Sequence, residues 1–416
     1  MIGLADCNNF FVSCERTVHR SLEGRAVVVL SNNDGCVVAR SNEAKRLGIR
    51  MGQPAFQIRD LIERGDVAAL SGNHLLYREI SLRIHDILRR FAPSTLDYSV
   101  DEAFLDMTGI PADELEAIGE AIWKTCWEEE HIPVTVGFAP TKTLAKIATE
   151  AGKKGNRRVV VMDSREMIMQ MCDKMPIGDL WGIGRRLSKR LYLCGVYTIG
   201  DFMRRPGVWV RGKLGVTGER SWRELHGESC IELDFKERAL QDSISETRTF
   251  PEDVEDYDYL RARIAIYCAH VSKRLRCMGG ECGEICVFLQ TNRFHTERGF
   301  HTPSASMTFE PPTADAMALT HAATALLERI FNPQLKYKRA GVTLCKITPA
   351  MALMPSLFEE DNESFEDARR SRRFMKVVDR LNSDVGTHTL KLASQLTKGP
   401  AGHNDGYSSS FGAPTS

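Results

Sequence analysis

Tyr98-Ser99-Val100-Asp101-Glu102-Ala103-Phe104 sets two acids side by side with apolar residues on both flanks. Upstream, Leu96, Tyr98 and Val100 alternate with Asp97, Ser99 and Asp101; downstream, Phe104-Leu105-Asp106-Met107 reads as a second short strand. The alternation predicts a hairpin with the acids at or near its turn. Neighbouring carboxylates repel one another unless a cation holds them, which makes the pair a candidate metal site. Asp is also an ordinary turn residue, and this run taken alone favours a solvated turn.

A third acid changes that balance. Ile2-Gly3-Leu4-Ala5-Asp6 is a short apolar strand ending on a carboxylate, and Asn8 or Asn9 is placed to cap a helix carrying Phe10, Phe11, Cys14 and Val18. Residues 23–71 read as a compact insert, with a strand over Ala26–Leu30, a turn over Ser31–Gly35, and a short helix over Arg40–Leu47 closed by Gly48. Leu76, Ile80, Ile84, Ile87, Leu88 and Phe91 fall at helical spacing, and Pro93 stops that helix. After the hairpin come a helix over Leu115–Trp127, a strand over Pro133–Phe138, a helix over Lys142–Gly152 capped by Thr141, and a strand over Arg158–Met162. Without the insert the order is strand, helix, strand, strand, helix, strand, the split βαβ or ferredoxin-like arrangement. That topology puts the first strand and the hairpin strands together at the sheet centre, so Asp6 faces Asp101 and Glu102. Converging carboxylates suit Mg²⁺ with substrate phosphates. Two such ions clamp the oxygens of a phosphoryl displacement.

The bulk composition is that of an ordinary globular chain. In 416 residues, 26% are charged and 43% hydrophobic, enough for several domains. The 55 basic and 55 acidic residues cancel, so a nucleic-acid surface must be local if there is one. The start has no signal-peptide pattern and no apolar run spans a bilayer, which predicts a cytoplasmic protein with free thiols and no membrane partner. Cys277, Cys282 and Cys286 lack the paired spacing of a zinc site and read as buried strand and loop thiols.

Residues 165–235 form a separate unit. Leu180-Trp181-Gly182-Ile183-Gly184-Arg185 reads as a glycine turn opening a helix, and Gly195 precedes a second helical unit. This is a helix-hairpin-helix signal, whose amides and helix start favour a phosphate. Over 240–350, a helix at Tyr259–Met278 carries Arg261, Arg263, Lys273, Arg274 and Arg276 with no acid within it. Strands over Ile285–Gln290, Ser304–Phe309 and Ala340–Ile347 flank a helix near Ala314–Ile330, and Arg293 and Arg298 add charge. A basic face without compensating acids suits a DNA backbone. From about Ala350 the chain is less regular, and its Gly, Ser and Pro after Gly399 predict disorder.

Asp6-Cys7-Asn8-Asn9-Phe10-Phe11 resembles the first catalytic motif of the Y-family, lesion-bypass DNA polymerases. Ser99-Val100-Asp101-Glu102-Ala103 resembles their second acidic motif, and Ala139-Pro140-Thr141-Lys142-Thr143-Leu144-Ala145-Lys146 the palm helix that follows it. The resemblance covers nearly the whole chain, and the run from Val29 to Arg40 is closest to the UmuC type, the catalytic subunits of bacterial DNA polymerase V.

The resemblance implies an α+β multidomain fold: a ferredoxin-like palm (1–22 and 72–164), small fingers (23–71), a helix-hairpin-helix thumb (165–235), an α/β little finger (240–350) and a partly disordered C-terminal region (351–416). It implies two Mg²⁺ held by Asp6, Asp101, Glu102 and the backbone carbonyl of Cys7. Phe10 and Phe11 would contact the nucleotide, Phe11 as the gate excluding a 2′-hydroxyl. Asn42, Lys45 and Lys153 would meet the dNTP triphosphate. Gly182, Gly184, Arg274, Arg276 and Arg293 would meet the DNA. Met354-Pro355-Ser356-Leu357-Phe358 resembles a sliding-clamp peptide anchored by Leu357 and Phe358, although Met354 replaces the usual glutamine. Primer-template DNA, dNTPs, the clamp, a processed UmuD dimer and RecA are the implied partners. The implied activity is error-prone translesion synthesis in the SOS response; a non-catalytic DNA-binding scaffold is the competing reading.

Overall fold

Ile2–Cys7 (β1) runs through the middle of a five-stranded sheet, antiparallel to a neighbour on each side. The computed structural model describes residues 1–31, 35–231, 240–294, 299–350, 362–384 and 390, with only the backbone of 362–369. The described residues fall into two compact units, one on each side of 232–239. Asn32, Asn33 and Asp34 of the expected turn, Arg298, the clamp-like peptide with Leu357 and Phe358, and the tail after Gly399 lie outside the described residues.

In the first unit, β1 leads to α1 (Phe10–Val18), β2 (Val27–Leu30), β3 (Val37–Arg40), α2 (Asn42–Arg46), α3 (Arg59–Glu63) and β4 (Ala68–Ser71). Then come α4 (His74–Leu88), β5 (Ser94–Asp97), β6 (Glu102–Asp106), α5 (Leu115–Glu130), β7 (Val134–Ala139), α6 (Lys142–Lys154) and β8 (Val159–Val161). The main sheet has the order β5-β6-β1-β7-β8. Its first four strands are arranged as a split βαβ unit, and β8 is added parallel to β7. Only β6 of the hairpin lies beside β1; β5 is at the sheet edge, not at the centre. That edge position belongs to the split βαβ order, and the turn sets where the strand stops. The amides of Tyr98 and Ser99 both donate to the Glu102 carbonyl at 3.0 Å, which ends β5 at Asp97 and takes Tyr98–Asp101 out of the strand.

Strand alternation sorts the two faces. Ala5, Cys7, Ala103 and Leu105 join one core with α1, α4 and α5, while Leu4 and Phe104 join another with α6. Side chains two residues apart share a face, so Asp6 and Glu102 follow Leu4 and Phe104 to the α6 side.

The insert forms a three-stranded sheet of order β3-β2-β4 over its own small core. Arg40, expected in a helix, ends β3 and donates to the Ile49 carbonyl. The helix starts two residues later because the Ser41 hydroxyl caps it, accepting from the Ala44 amide at 3.2 Å. The same hydroxyl accepts from the Val27 amide at 3.1 Å and so ties α2 to β2. Strands β3 and β4 were not legible as such in the sequence.

The first unit continues through α7 (Arg165–Lys174), α8 (Arg185–Tyr192), α9 (Ile199–Met203) and α10 (Gly207–Leu225). Buried Glu224 on α10 accepts from the Thr143 amide at 3.0 Å and from the Cys230 and Ile231 amides at 2.9 and 3.1 Å, binding these helices to the start of α6. Cationic Lys142 beside it has its pKa lowered by burial, opposed by the attraction of Glu224.

The second unit comprises β9 (Ser243–Val254), α11 (Tyr257–Cys277), β10 (Gly280–Thr291), β11 (Ser304–Thr313), α12 (Ala316–Ile330), β12 (Tyr337–Pro349) and α13 (Asn362–Asp384). Its sheet has the order β11-β10-β12-β9, and α11 and α12 share one apolar core with it. All 12 cysteines are free. Cys282 is buried and Cys286 half-buried on β10, while Cys277 is exposed at the end of α11 rather than buried as expected. Among the described residues, no helix is long and apolar enough to cross a membrane.

One glycine fixes how near α6 comes to the sheet. A Cβ on Gly137 of β7 would stand 2.4 Å from the Thr149 amide nitrogen and 2.7 Å from the Ala145 carbonyl oxygen. Both atoms are helix backbone and cannot rotate away. Gly137→Ala is therefore expected to lower stability in urea by about 1–3 kcal/mol. It should also weaken the contacts that α6 makes across the sheet; an unchanged melt would show that the helix shifts at no cost.

Candidate active site

Asp6 and Glu102 are directly opposed in the β1–β6 register. The amide of Cys7 donates to the Asp101 carbonyl at 2.9 Å, which extends that register to the second acid of the pair. Burial pushes the Asp6 carboxyl up to about 7, opposed by Lys153 and reinforced by the nearby Glu102. Two lysines from α6 answer this charge. Lys153 Nζ lies 2.5 Å from Asp6 Oδ2, and Lys146 Nζ lies 3.0 Å from each oxygen of Glu102. They stand seven residues apart, two helical turns, which puts both on the face that α6 presents to the strands.

Asp101 is held differently. The Ser99 hydroxyl donates to its Oδ1 at 2.5 Å. Among the described residues, no three His, Cys, Asp or Glu groups are gathered to hold a metal ion. The structure thus brings Asp6 and Glu102 together and leaves the Asp101 carboxylate bonded to Ser99. The Cys7 thiol is buried in the core, so only its backbone faces the acids. The donor set is oxygen throughout and suits a hard divalent cation. At Asp6 burial outweighs the attraction of Lys153, and it is the oxygen chemistry of these donors that fits such an ion.

Beyond the acids, α1 and α2 meet. Asn9 occupies the N-cap position of α1 in a left-handed conformation, with φ 50° and no side-chain capping bond. Its amide turns to α2 instead: Asn9 Nδ2 donates to Asn42 Oδ1 at 3.1 Å, and Lys45 Nζ donates to Asn9 Oδ1 at 2.6 Å and to Asn42 Oδ1 at 3.2 Å. Burial lowers the Lys45 pKa, and the positive charges of Arg40 and Lys153 lower it further. Asn42, Lys45 and Lys153 thus lie near one another. They line a pocket of about 440 Å³ with Asn8, Asn9, Arg157, Arg158 and Trp123.

Phe11 lies at the start of α1, its ring stacked on Tyr77 at 4.4 Å and 14°. Tyr77 is itself fixed, since its hydroxyl donates to buried Glu15 at 2.6 Å. Phe10 is buried in the core under the sheet, so its side chain packs rather than meets a ligand.

Of the remaining expected residues, two belong to the first unit and three to the second. Gly182 and Gly184 are exposed at the turn before α8, and Gly182 has φ +87°, which glycine adopts without strain. In the second unit, Arg276 is not free for a ligand. Its guanidinium grips Asp379 of α13 at 2.7 and 2.8 Å and the Ala314 carbonyl at 2.8 Å. Arg274 is placed near the sheet edge, donating to the Ser245 carbonyl at 3.3 Å, and exposed Arg293 lies 5.7 Å from the Phe294 ring centre.

Sequence reasoning missed Asn9, Tyr77, Glu15 and Glu224 as supports of the site. Tyr77 and Glu15 are 62 positions apart, and no local signal joins them. Lys146 stands in a quoted motif, but its bond to Glu102 depends on sheet register.

The electrostatics give a pH test. The folded value of about 7 for Asp6 exceeds the roughly 3.9 of an unfolded Asp. This group's stabilising contribution is thus complete below about pH 4 and is lost as pH rises toward 7. Without divalent cations, Asp6→Asn should flatten that fall in thermal melts. Added Mg²⁺ should raise the wild-type melting temperature more at pH 8 than at pH 5, and should do little for the variant. Equal Mg²⁺ effects at both pH values would remove Asp6 from the cation site.

Residues 5–150 match the impB/mucB/samB family, and residues 241–357 match the C-terminal domain of that family. The chain is 36% identical to Protein UmuC of Salmonella typhimurium over 95% of this chain and 93% of the relative. It is 29% identical to DNA polymerase IV of Pelotomaculum thermopropionicum over 96% of each chain. Its fold matches a Y-family DNA polymerase chimera, Dbh-Dpo4(243-245)-Dbh, with a TM-score of 0.70 and 22% identity, over 84% of this chain and 100% of the other. The family matches and the 36% identity over nearly the whole length place the chain in the impB/mucB/samB family, as a UmuC-like member with the fold of a Y-family DNA polymerase.

Proposed function

We propose that this chain is a DNA-directed DNA polymerase that extends primers across damaged template. The observation that carries the reading is the opposition of Asp6 and Glu102 on adjacent strands, with Asp101 next in register and two lysines facing them. A DNA-binding scaffold without chemistry would have no use for a carboxyl buried against its own kind. In this reading residues 1–22 and 72–164 are the palm, 23–71 the fingers, 165–235 the thumb and 240–350 the little finger.

Asp6, Asp101, Glu102 and the Cys7 carbonyl would hold two Mg²⁺, which when bound supply positive charge at the reacting phosphate. The primer 3′-hydroxyl attacks the α-phosphate of a dNTP, and pyrophosphate leaves. Lys45, Asn42 and Lys153 hold the triphosphate and balance the charge that grows on the leaving group. Lys45 is oriented for this by Asn9 and Asn42. Phe11, backed by Tyr77, forms a wall against a 2′-hydroxyl. The turn at Gly182 and Gly184 contacts a DNA phosphate without reading sequence. Arg274 and Arg293 remain candidates for the DNA backbone, while Arg276 serves the second unit's own packing. By family, the sliding clamp at Leu357 and Phe358, a processed UmuD dimer and RecA are the proposed partners, in the cytoplasm.

Primer extension tests the reading. Asp101→Ala and Glu102→Ala should each reduce incorporation about 10³-fold or more while DNA affinity holds, because cationic surface supplies that affinity separately. Extension at wild-type rate by either variant would end the assignment. Phe11→Ala should weaken selection for dNTP over rNTP by about 10- to 100-fold, since it removes a steric wall rather than a bond. Selectivity unchanged in single-nucleotide incorporation would make Phe11 a packing residue of α1.

A further inference from the structure

Trp181 has no part in the chemistry described above, yet it meets the hairpin that carries the acidic pair and the lysine that bonds Glu102. Trp181 stands in the turn immediately before Gly182. Its indole meets the Tyr98 ring edge-on at 5.8 Å and 88°, and lies 6.4 Å from the Phe104 ring. Tyr98 and Phe104 belong to the hairpin that carries Asp101 and Glu102. The Lys146 ammonium lies 4.8 Å from the Tyr98 ring centre and 5.5 Å from that of Trp181. On its other side it bonds both oxygens of Glu102 at 3.0 Å. The Lys146 and Glu102 side chains are only 18% and 19% exposed, so this ammonium is held between aromatic faces and a carboxylate with little water about it.

We propose that Trp181 is a positioning residue that couples the phosphate-contacting turn to Glu102 through the Lys146 ammonium. The inference rests on the polymerase reading above. Cation–π attraction is strongest for an indole and grows with desolvation, so the turn's place is felt at the ammonium. Because that ammonium bonds both carboxylate oxygens, its place fixes the orientation of Glu102. A DNA phosphate seated on the Gly182 turn thereby steadies a carboxylate that the turn never touches. Simple packing explains the contact with Phe104 but not an ammonium shared by two rings and a carboxylate.

The test separates packing from coupling. Trp181→Phe retains an aromatic face, and Trp181→Leu fills space without one. Single-turnover incorporation at saturating primer-template and dNTP is expected to fall about tenfold in the Leu variant and to recover largely in the Phe variant. DNA affinity by fluorescence anisotropy without metal should hold in both. Mn²⁺ binding, followed by electron paramagnetic resonance, should weaken in the Leu variant alone. In a Lys146→Ala background, Trp181→Leu should add little, because its effect runs through the ammonium. Equal rates for Phe and Leu, additive losses with Lys146→Ala, or a loss confined to DNA affinity would each overturn the proposal. If the wild-type protein extends no primer, the polymerase reading falls, whereas the Mn²⁺ comparison still decides whether Trp181 acts on the carboxylate site.

Discussion

The site depends on the antiparallel pairing of β1 with β6, which sets Asp6 opposite Glu102. A slip of one residue would turn Glu102 and Phe104 to the opposite face of the sheet, away from α6. That slip is opposed by both cores at once. Leu4 and Phe104 fill the α6 side, and Ala5, Cys7, Ala103 and Leu105 fill the other. Moving any large one of these from core to water costs roughly 1.5–3 kcal/mol. The position of two carboxylates is therefore enforced by apolar residues that take no part in chemistry.

The second requirement is distance. Lysines can neutralise buried acids only if their helix lies close to the strands, and Gly137 permits that approach. Thr149 strengthens it, since its hydroxyl sits 3.2 Å from the Leu4 carbonyl on β1 and 2.9 Å from the Ala145 carbonyl on its own helix. Burial nevertheless outweighs Lys153 at the Asp6 carboxyl and holds it above the usual carboxylate range.

Elements with strong periodicity were legible in the sequence. The long helix α4, the hairpin around the acids, and Thr141 as the cap of α6 all follow from local pattern, and Thr141 accepts from the Leu144 amide at 3.3 Å. Where sequence reading departed from the structure, a distant residue had decided the outcome. Arg40 looked helical because a helix follows at once, but pairing with Val28 made it the end of a strand. Asn9 looked like a cap because it precedes a helix, but Asn42 and Lys45, more than 30 positions away, claim its side chain. Strand β9 carries mostly polar and charged residues, and its partner β12 lies far along the chain, so nothing nearby marks it.

Charge was the hardest property to read, for the same reason. The helix α11 has no acid among its arginines beyond Asp258, in its first turn, which bonds Arg261 at 3.1 Å. The inference from basic helix to DNA assumed that compensating acids would be nearby. For Arg276 the acid is Asp379, 103 positions on, and a paired, half-buried guanidinium is a structural fastener rather than a ligand site. An ion pair of this kind is strong through its bidentate geometry, and its burial makes either partner costly to leave unpaired; sequence displays neither. A count of like charges on one helix therefore bounds the size of a basic surface from above, and each arginine must be checked against the acids of every element that packs on it.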